Sequence, residues 1–338
     1  MRVVDIMSRC PVFLVGAPRS GTTLLAEMLN ANCDVFVFNE TVFYDALVVA
    51  KADCGNDREK LFATLVEHLC GRIDARLARE EGGRKEFGSR FPIAEAEKIK
   101  SLFRKRISEE VKGYDKPAQI LQTFMEVVAS VKGKSVWGEK TPNHLFHLKE
   151  ILADFPEAKV INVVRNPWDF LISYKFAWRQ RGGKAENQKL YHPFVTSLLW
   201  RKYVKGGQWL NDSGYARQCI TVRYEDIVAD PVGLFSRVYR FLGIEEVVVD
   251  GLVEGSNTSF GGRREKLTPL EVHVCSSVCG ALAERLGYET RKKTLSFLAL
   301  LVSLLSLPHY VLGAVPVIRK RFGGSILRYL VARGVAPK

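Results

Sequence analysis

Four charged side chains stand where short apolar runs end: Glu40 after Val35-Phe36-Val37-Phe38, Lys140 after Ser135-Val136-Trp137, Arg165 after Lys159–Val164 and Arg223 after Cys219–Val222. These runs are rich in β-branched or aromatic residues, the pattern of buried strands, so each charge is expected near a strand's carboxyl end. In an open α/β sheet, ligands lie along that edge. A carboxylate placed there can accept a proton, and lysine or arginine can neutralise an oxyanion. Glu40 is therefore a candidate base among candidate anion partners.

The segment Cys10–Asn30, CPVFLVGAPRSGTTLLAEMLN, reads as strand, tight loop and helix. A loop that opens a helix in this way turns backbone N–H groups into its own concavity and adds the positive helix terminus. It can bind phosphate or sulfate without a metal. The spacing Gly16-x4-Gly21 matches the nucleotide-binding P-loop, but Thr22-Thr23 follow where that loop carries Lys and then Ser or Thr. The cation sits inside the loop instead, at Arg19, whose planar fork suits an oxyanion better than a point charge does. This loop is built for a phosphate rather than for ATP hydrolysis.

These sites need a frame, and the chain is long enough for one large α/β domain plus an appendage. It has 338 residues, 47% of them apolar. Seven scattered cysteines give no disulfide framework, and the first strand follows the N-terminus too closely for a signal peptide, so a cytosol-facing location is expected. Of the net charge of +13, nine units fall between Arg291 and Lys338, where there is no Asp or Glu, leaving +4 for residues 1–290. No zinc-finger spacing or aromatic-rich RNA signature accompanies that charge, which argues against nucleic acid as partner. Within the tail, the 25 residues Thr294–Ile318 carry no charge and are flanked by Arg291-Lys292-Lys293 and Arg319-Lys320-Arg321. Pro308 interrupts the run and both flanks are basic. A re-entrant hairpin or an interfacial helix pair on the cytosolic face of a membrane is favoured over a simple span.

Between Glu40 and Lys140, residues Asp53–Gly113 are charge-rich. They read as a helical insertion, bounded at about 53–131, with helices at Ile93–Val111 and Ala118–Val131 and charged faces turned to solvent. In Thr141-Pro142-Asn143-His144, Pro142 is expected at a helix's first turn with Asn143 as cap. His144 and His147 lie three apart with no third ligand signalled, so no metal is assigned.

Taken in order, these motifs resemble the sulfotransferases that use PAPS (3′-phosphoadenosine 5′-phosphosulfate). Pro18-Arg19-Ser20-Gly21-Thr22-Thr23 resembles their 5′-phosphosulfate loop, Lys140-Thr141-Pro142-Asn143-His144 is similar to a bacterial stretch, and Arg223-Tyr224-Glu225-Asp226 also recurs. The resemblance covers roughly Val12–Tyr288. It implies that Pro18, Arg19, Ser20, Gly21, Thr22 and Thr23 hold the 5′ end, and that Arg165 and Ser173 hold the 3′-phosphate. It places Tyr224 near the nucleotide and Ser259, Arg263 and Arg264 on a closing loop within Gly255–Lys266. It makes Glu40, Lys140 and Arg19 the catalytic group. Glu225 fits either a ligand contact or a structural partner. The tyrosylprotein group's Arg after the glutamate is replaced by Val42, so peptide specificity does not carry over.

The expected protein is a P-loop NTPase-like α/β domain over residues 1–290, with a central parallel sheet, helices on both faces and the helical insertion. A membrane-associating, apolar and basic helical tail over residues 291–338 follows. PAPS is the expected donor, PAP (3′-phosphoadenosine 5′-phosphate) its product, and no metal takes part. The acceptor is a hydroxyl on a glycan, a glycolipid or another membrane-held molecule. A P-loop nucleotide kinase is the alternative, and a membrane-tethered nucleotide-binding protein without catalysis is the other.

Overall fold

Alternation along β1 (Val12–Gly16) divides the molecule into two cores. Val12 and Leu14 join one hydrophobic cluster, and Phe13 and Val15 join the other, on the opposite face of the sheet. The computed structural model describes residues 10–77, 90–179, 185–212, 214–247, 266–291 and 297–322. After β1 come α1 (Thr22–Asn30), β2 (Val35–Asn39), α2 (Phe43–Cys54), α3 (Arg58–Asp74), α4 (Ile93–Glu110), α5 (Ala118–Val131) and β3 (Val136–Lys140). A 3₁₀ turn, Pro142–His147, leads to α6 (Leu148–Asp154), β4 (Lys159–Val164), α7 (Pro167–Lys175) and α8 (Pro193–Asp212). The chain then forms β5 (Cys219–Arg223), α9 (Tyr224–Ala229), α10 (Pro231–Leu242), α11 (Pro269–Arg285), α12 (Phe297–Leu305) and α13 (Leu307–Phe322).

The sheet order is β2-β3-β1-β4-β5 and every pair is parallel. The smaller core lies under α1, α9 and α10, through Leu25, Met28, Ile227, Phe235 and Val238. The larger holds Leu65 and Leu69 of α3, Phe103 of α4, Phe124 of α5, Trp168 of α7 and Trp200 of α8. Helices therefore cover both faces, as the sequence implies, and the strands read as apolar runs because both faces are buried. β1 is central, between β3 and β4; the chain runs from it to the edge strand β2, returns to β3, and then crosses β1 to β4 on the other side. The carboxyl end of β1 is thus the topological switch point where a ligand crevice forms.

Register fixes the charges along that edge. Asn39, Lys140 and Leu14 lie level with one another, and Val164 lies level with Arg223. Glu40 stands one residue past the level of Lys140.

Three local expectations change. Thr141, not Asn143, occupies the cap position before the 3₁₀ turn, and it makes no side-chain cap bond. The Asn143 amide instead donates to Asp45 Oδ2 at 3.1 Å and its carbonyl accepts from Tyr203. Between β2 and β3 the first helix begins at Phe43, and two arginines, Arg72 in the last turn of α3 and Arg76 just past its end, face inward rather than outward. In the tail, α12 and α13 run on across Ser306 instead of folding back. Pro308 has no N–H for the Leu304 carbonyl, but Ser306 N–H to Val302 O (3.2 Å) and Tyr310 N–H to Ser306 O (3.1 Å) carry the helix past the break.

Candidate anion and proton-transfer site

Backbone geometry shapes the first part of the site. Gly16 has φ +135°, and a Cβ there would sit 2.3 Å from the Val163 carbonyl oxygen. Arg19 is left-handed at φ +74° although it is not glycine, and Gly21 follows at φ +91°. The Ser20 N–H donates to the Ala17 carbonyl at 3.1 Å, closing the turn. α1 then starts with no acidic residue in its first turn and no side-chain cap. Its first N–H groups therefore point into the turn with the positive end of the helix behind them. Ser20 Oγ is buried and has no hydrogen-bond partner among the described residues, as expected of a hydroxyl that serves an anion held in the loop.

Tyr224 and two arginines meet over this turn. The Tyr224 ring covers Gly21 so closely that a Cβ at 21 would lie 2.3 Å from it. The Arg165 guanidinium stacks on the same ring at 4.1 Å, and its Nη1 donates to the Arg19 carbonyl at 2.9 Å. Arg19 Nε donates to Ser173 Oγ at 3.3 Å. Burial lowers the pKa of both guanidiniums, and for Arg19 the nearby Arg165 lowers it further against the opposing effect of Tyr174. Two partly desolvated cations so close together favour an anion beside them. The backbone supports the pair: Trp200 Nε1 donates to the Arg165 carbonyl at 2.8 Å. Glu225 accepts from Asn166 N–H (2.9 Å) and Tyr288 OH (3.1 Å), which resolves it as a structural partner.

The second part lies one strand away. Lys140 is 2% exposed, and its Nζ donates to Glu40 Oε1 at 3.1 Å. Arg76 Nη2 donates to Glu40 Oε2 at 3.2 Å, and Arg72 Nη2 stands 3.9 Å from the same oxygen. Burial alone would raise the Glu40 pKa, but Lys140 above all, then Arg76 and Arg72, outweigh it and hold the carboxyl at about 2.

Beneath this pair Glu139, wholly buried, gathers the loop ends. Its Oε1 accepts from Thr41 N–H (2.9 Å), Thr41 Oγ1 (2.8 Å) and Thr141 Oγ1, and its Oε2 lies 2.8 Å from His144 Nδ1. Tyr44 N–H donates to His144 Nε2 at 3.4 Å, which leaves Nδ1 as the ring nitrogen turned toward Glu139. His147 pairs separately with Asp45 at 2.9 Å. Both histidines are thereby engaged in the framework.

The structure brings the predicted residues into two neighbouring groups along one sheet edge: Pro18–Thr23 with Arg165, Ser173 and Tyr224, and Glu40 with Lys140. Ser259, Arg263 and Arg264 lie outside the described residues. Arg72, Arg76 and Glu139 are absent from the sequence reading. The only signal for the arginines is their i, i+4 spacing, which a solvated helix face shares. For Glu139, the threonines that follow two adjacent strands, Thr41 and Thr141, are a hint.

With strand order, loop and cation pair in place, comparison with known proteins assigns the class. The sulfotransferase family's model matches residues 11–247, and the chain belongs to that family. A stretch of 114 residues is 31% identical to the omega-hydroxy-beta-dihydromenaquinone-9 sulfotransferase Stf3 of Mycobacterium bovis. That match covers 31% of this chain and 28% of the relative, so the chain spans under a third of that protein's length. Among solved structures, the sulfotransferase domain of the Synechococcus PCC 7002 olefin synthase is 16% identical with a TM-score of 0.48, over 84% of this chain and 98% of that one. Sulfotransferase STF9 from Mycobacterium avium is 13% identical with a TM-score of 0.47, over 86% and 80% respectively.

Proposed function

We propose that this sulfotransferase moves the sulfuryl group from PAPS to an acceptor hydroxyl by in-line displacement. The observation that carries the reading is the adjacency of two groups on one sheet edge: a phosphate-shaped loop with two buried arginines, and a carboxylate bonded to a buried lysine. When bound, PAPS supplies an activated sulfuryl group and a phosphate leaving group. The loop amides, Ser20 and Arg19 would hold its 5′ end, and Arg165 with Ser173 its 3′-phosphate, with Tyr224 beside the nucleotide.

Sulfuryl transfer develops negative charge on the leaving oxygen, and fixed donors stabilise such charge best. Arg19 and Lys140 provide that field. Glu40 takes the proton of the acceptor hydroxyl, a role generally worth about 10²–10⁴ in rate. Its ion pair with Lys140 keeps it ionised and aimed until the lysine is drawn to transferring oxygens. Release of that bond then raises its affinity for the proton.

The acceptor in this reading is membrane-held. Ser303 and Ala314 are buried on the inner side of α12 and α13, where His192 Nε2 donates to Ser306 Oγ at 2.9 Å. Leu298, Leu301, Val302, Leu305, Leu312 and Val315 are exposed on the outer side. An apolar outer stripe with basic flanks suits an anionic bilayer surface. A menaquinone-derived acceptor, named for the Mycobacterium relative, is of this kind.

Thermal unfolding tests the nucleotide. PAP at about 100 times its Kd should add roughly 2.7 kcal/mol of stability, while ATP with Mg²⁺ adds much less. Equal shifts would favour a kinase. Incubation with ³⁵S-labelled PAPS and a lipid extract should then label the acceptor.

A further inference from the structure

Glu40 ends β2 in a left-handed conformation, φ +61°, and Val42 repeats it at φ +54°. Such backbone persists only where surrounding bonds hold it. Those bonds come from both sides. From β3, the Lys140 carbonyl accepts the Glu40 N–H at 2.6 Å. From the end of α3, Arg72 Nε donates to the Glu40 carbonyl at 2.6 Å, and from the turn after that helix Arg76 Nε donates to the Asn39 carbonyl at 3.1 Å. The remaining ends of the same guanidiniums reach Glu40 Oε2, so each arginine grips backbone and carboxylate together. Only a planar fork of donors can do both at once, which a lysine cannot. Arg72 lies in the last turn of α3 and Arg76 in the turn just past its end, so the C-terminal end of the helix meets the sheet edge.

We propose that Arg72, in the last turn of α3, and Arg76, in the turn that follows it, form a positioning clamp that fixes the carboxylate of Glu40 against the strand end while Lys140 remains the only one of its three cations free to turn toward a bound donor. The charged groups facing Glu40 are Lys140 from β3, Arg72 from α3 and Arg76 from the turn after α3. With Arg76 in place, the carboxylate keeps its aim after Lys140 leaves. Without it, the strained loop at residues 40–42 relaxes and the carboxyl binds a proton more readily. The helices between β2 and β3 therefore set the geometry of the base as well as covering the site. This inference rests on Glu40 serving as the base, but the clamp itself is tested without turnover.

The test uses the full chain, kept in solution with non-ionic detergent, carrying ¹³C-carboxyl glutamate and saturated with PAP. Comparison with Glu40→Gln identifies the Glu40 resonance. In the parent protein that resonance should stay in its ionised position down to about pH 4. In Arg76→Met its midpoint should rise by at least one pH unit, while PAP affinity changes less than threefold. Arg76→Lys should restore the charge effect and lower the midpoint again, yet leave faster hydrogen exchange at the Glu40 N–H, because the backbone grip is lost. An unchanged midpoint in Arg76→Met overturns the clamp, as does Arg76→Lys exchanging as slowly as the parent. If Arg76→Met does not fold, Arg72→Met gives the same readout through the other grip. Separately, full turnover in Glu40→Gln would remove the base assignment and leave the titration result standing.

Discussion

Glu40 and Lys140 share one hydrogen bond, yet they sit in unequal surroundings: the lysine is buried, while 42% of the glutamate side chain faces solvent. A carboxyl held at about 2 when folded, against about 4.3 when unfolded, favours the folded state wherever the unfolded chain would bind the extra proton. That contribution is present in full above about pH 4.3 and disappears as pH falls toward 2, and solvent screening keeps it modest. Glu40→Gln should therefore be less stable than the parent at pH 6, and the two urea midpoints should draw together as pH falls through 3 and converge near pH 2. A gap that stays constant with pH would mean the ion pair adds nothing. The same variant should lose at least about 100-fold in turnover with PAP affinity little changed. Arg165→Ala should instead weaken PAP binding first. Glu139 makes a contrasting case, since it supports the site and touches no acceptor. Removing it as Glu139→Ala strands three buried donors, Thr41 N–H, Thr41 Oγ1 and Thr141 Oγ1, each costing about 1–3 kcal/mol, so calorimetry should show a large drop in Tm with or without PAP.

Elements explain what was legible. Strand ends could be read because β-branched runs stop abruptly at Gly16, Glu40, Lys140 and Arg165, and α5 and β4 fall at their predicted residues. The inward turn of α3 could not be read. A charged helix face looks the same whether water or a carboxylate lies across from it, and tertiary packing chooses. Glu139 was hidden by its neighbour Lys140, as adjacent strand residues point to opposite sides and both are buried here. Asn143 was misread as a cap because capping and side-chain networks use the same amide chemistry. The loop before α1 is the most demanding element, and its two glycines differ in what they tolerate. Gly16→Ala meets a fixed carbonyl in the adjacent strand at positive φ and should cost about 1–3 kcal/mol or more in urea unfolding. Gly21→Ala meets the edge of the Tyr224 ring, which can swing aside. It should unfold closer to the parent but bind PAP at least tenfold more weakly, because moving Tyr224 disturbs the Arg165 stack. Equal losses of stability in both variants would show that the ring is as immovable as the strand.

At the scale of the whole molecule, the described part of the tail, residues 297–322, is one kinked helix with a docked side and an exposed side. It includes a 21-residue stretch, Leu300–Lys320, long and apolar enough to cross a bilayer, of which 17% is buried in the protein. Its docked side is specific: Tyr310 OH donates to the Leu190 carbonyl at 3.4 Å and Lys320 reaches Glu186 at 3.2 Å. In the proposed membrane-bound state a helix tied down in this way would offer one face to lipid and lie along the surface, so a charge on that face alone should remove the protein from the membrane. Each exposed leucine buried in lipid contributes about 1.5–3 kcal/mol, and each basic residue at an anionic leaflet adds about 1 kcal/mol. Leu305→Glu combined with Leu312→Glu should therefore abolish sedimentation with vesicles containing phosphatidylserine. Both side chains are more than 70% exposed, so the fold and PAP binding should be unaffected. A chain ending at Arg291 should behave likewise. That end point keeps the Arg291 carbonyl on Ser276 Oγ (3.0 Å) and its guanidinium over Trp168. Both forms should lose more activity toward a lipid acceptor than toward a small soluble alcohol. If the double variant still sediments with vesicles, the helix crosses the bilayer rather than lying on it. If it changes only the protein's own sedimentation coefficient, the stripe is a contact between two copies of the chain.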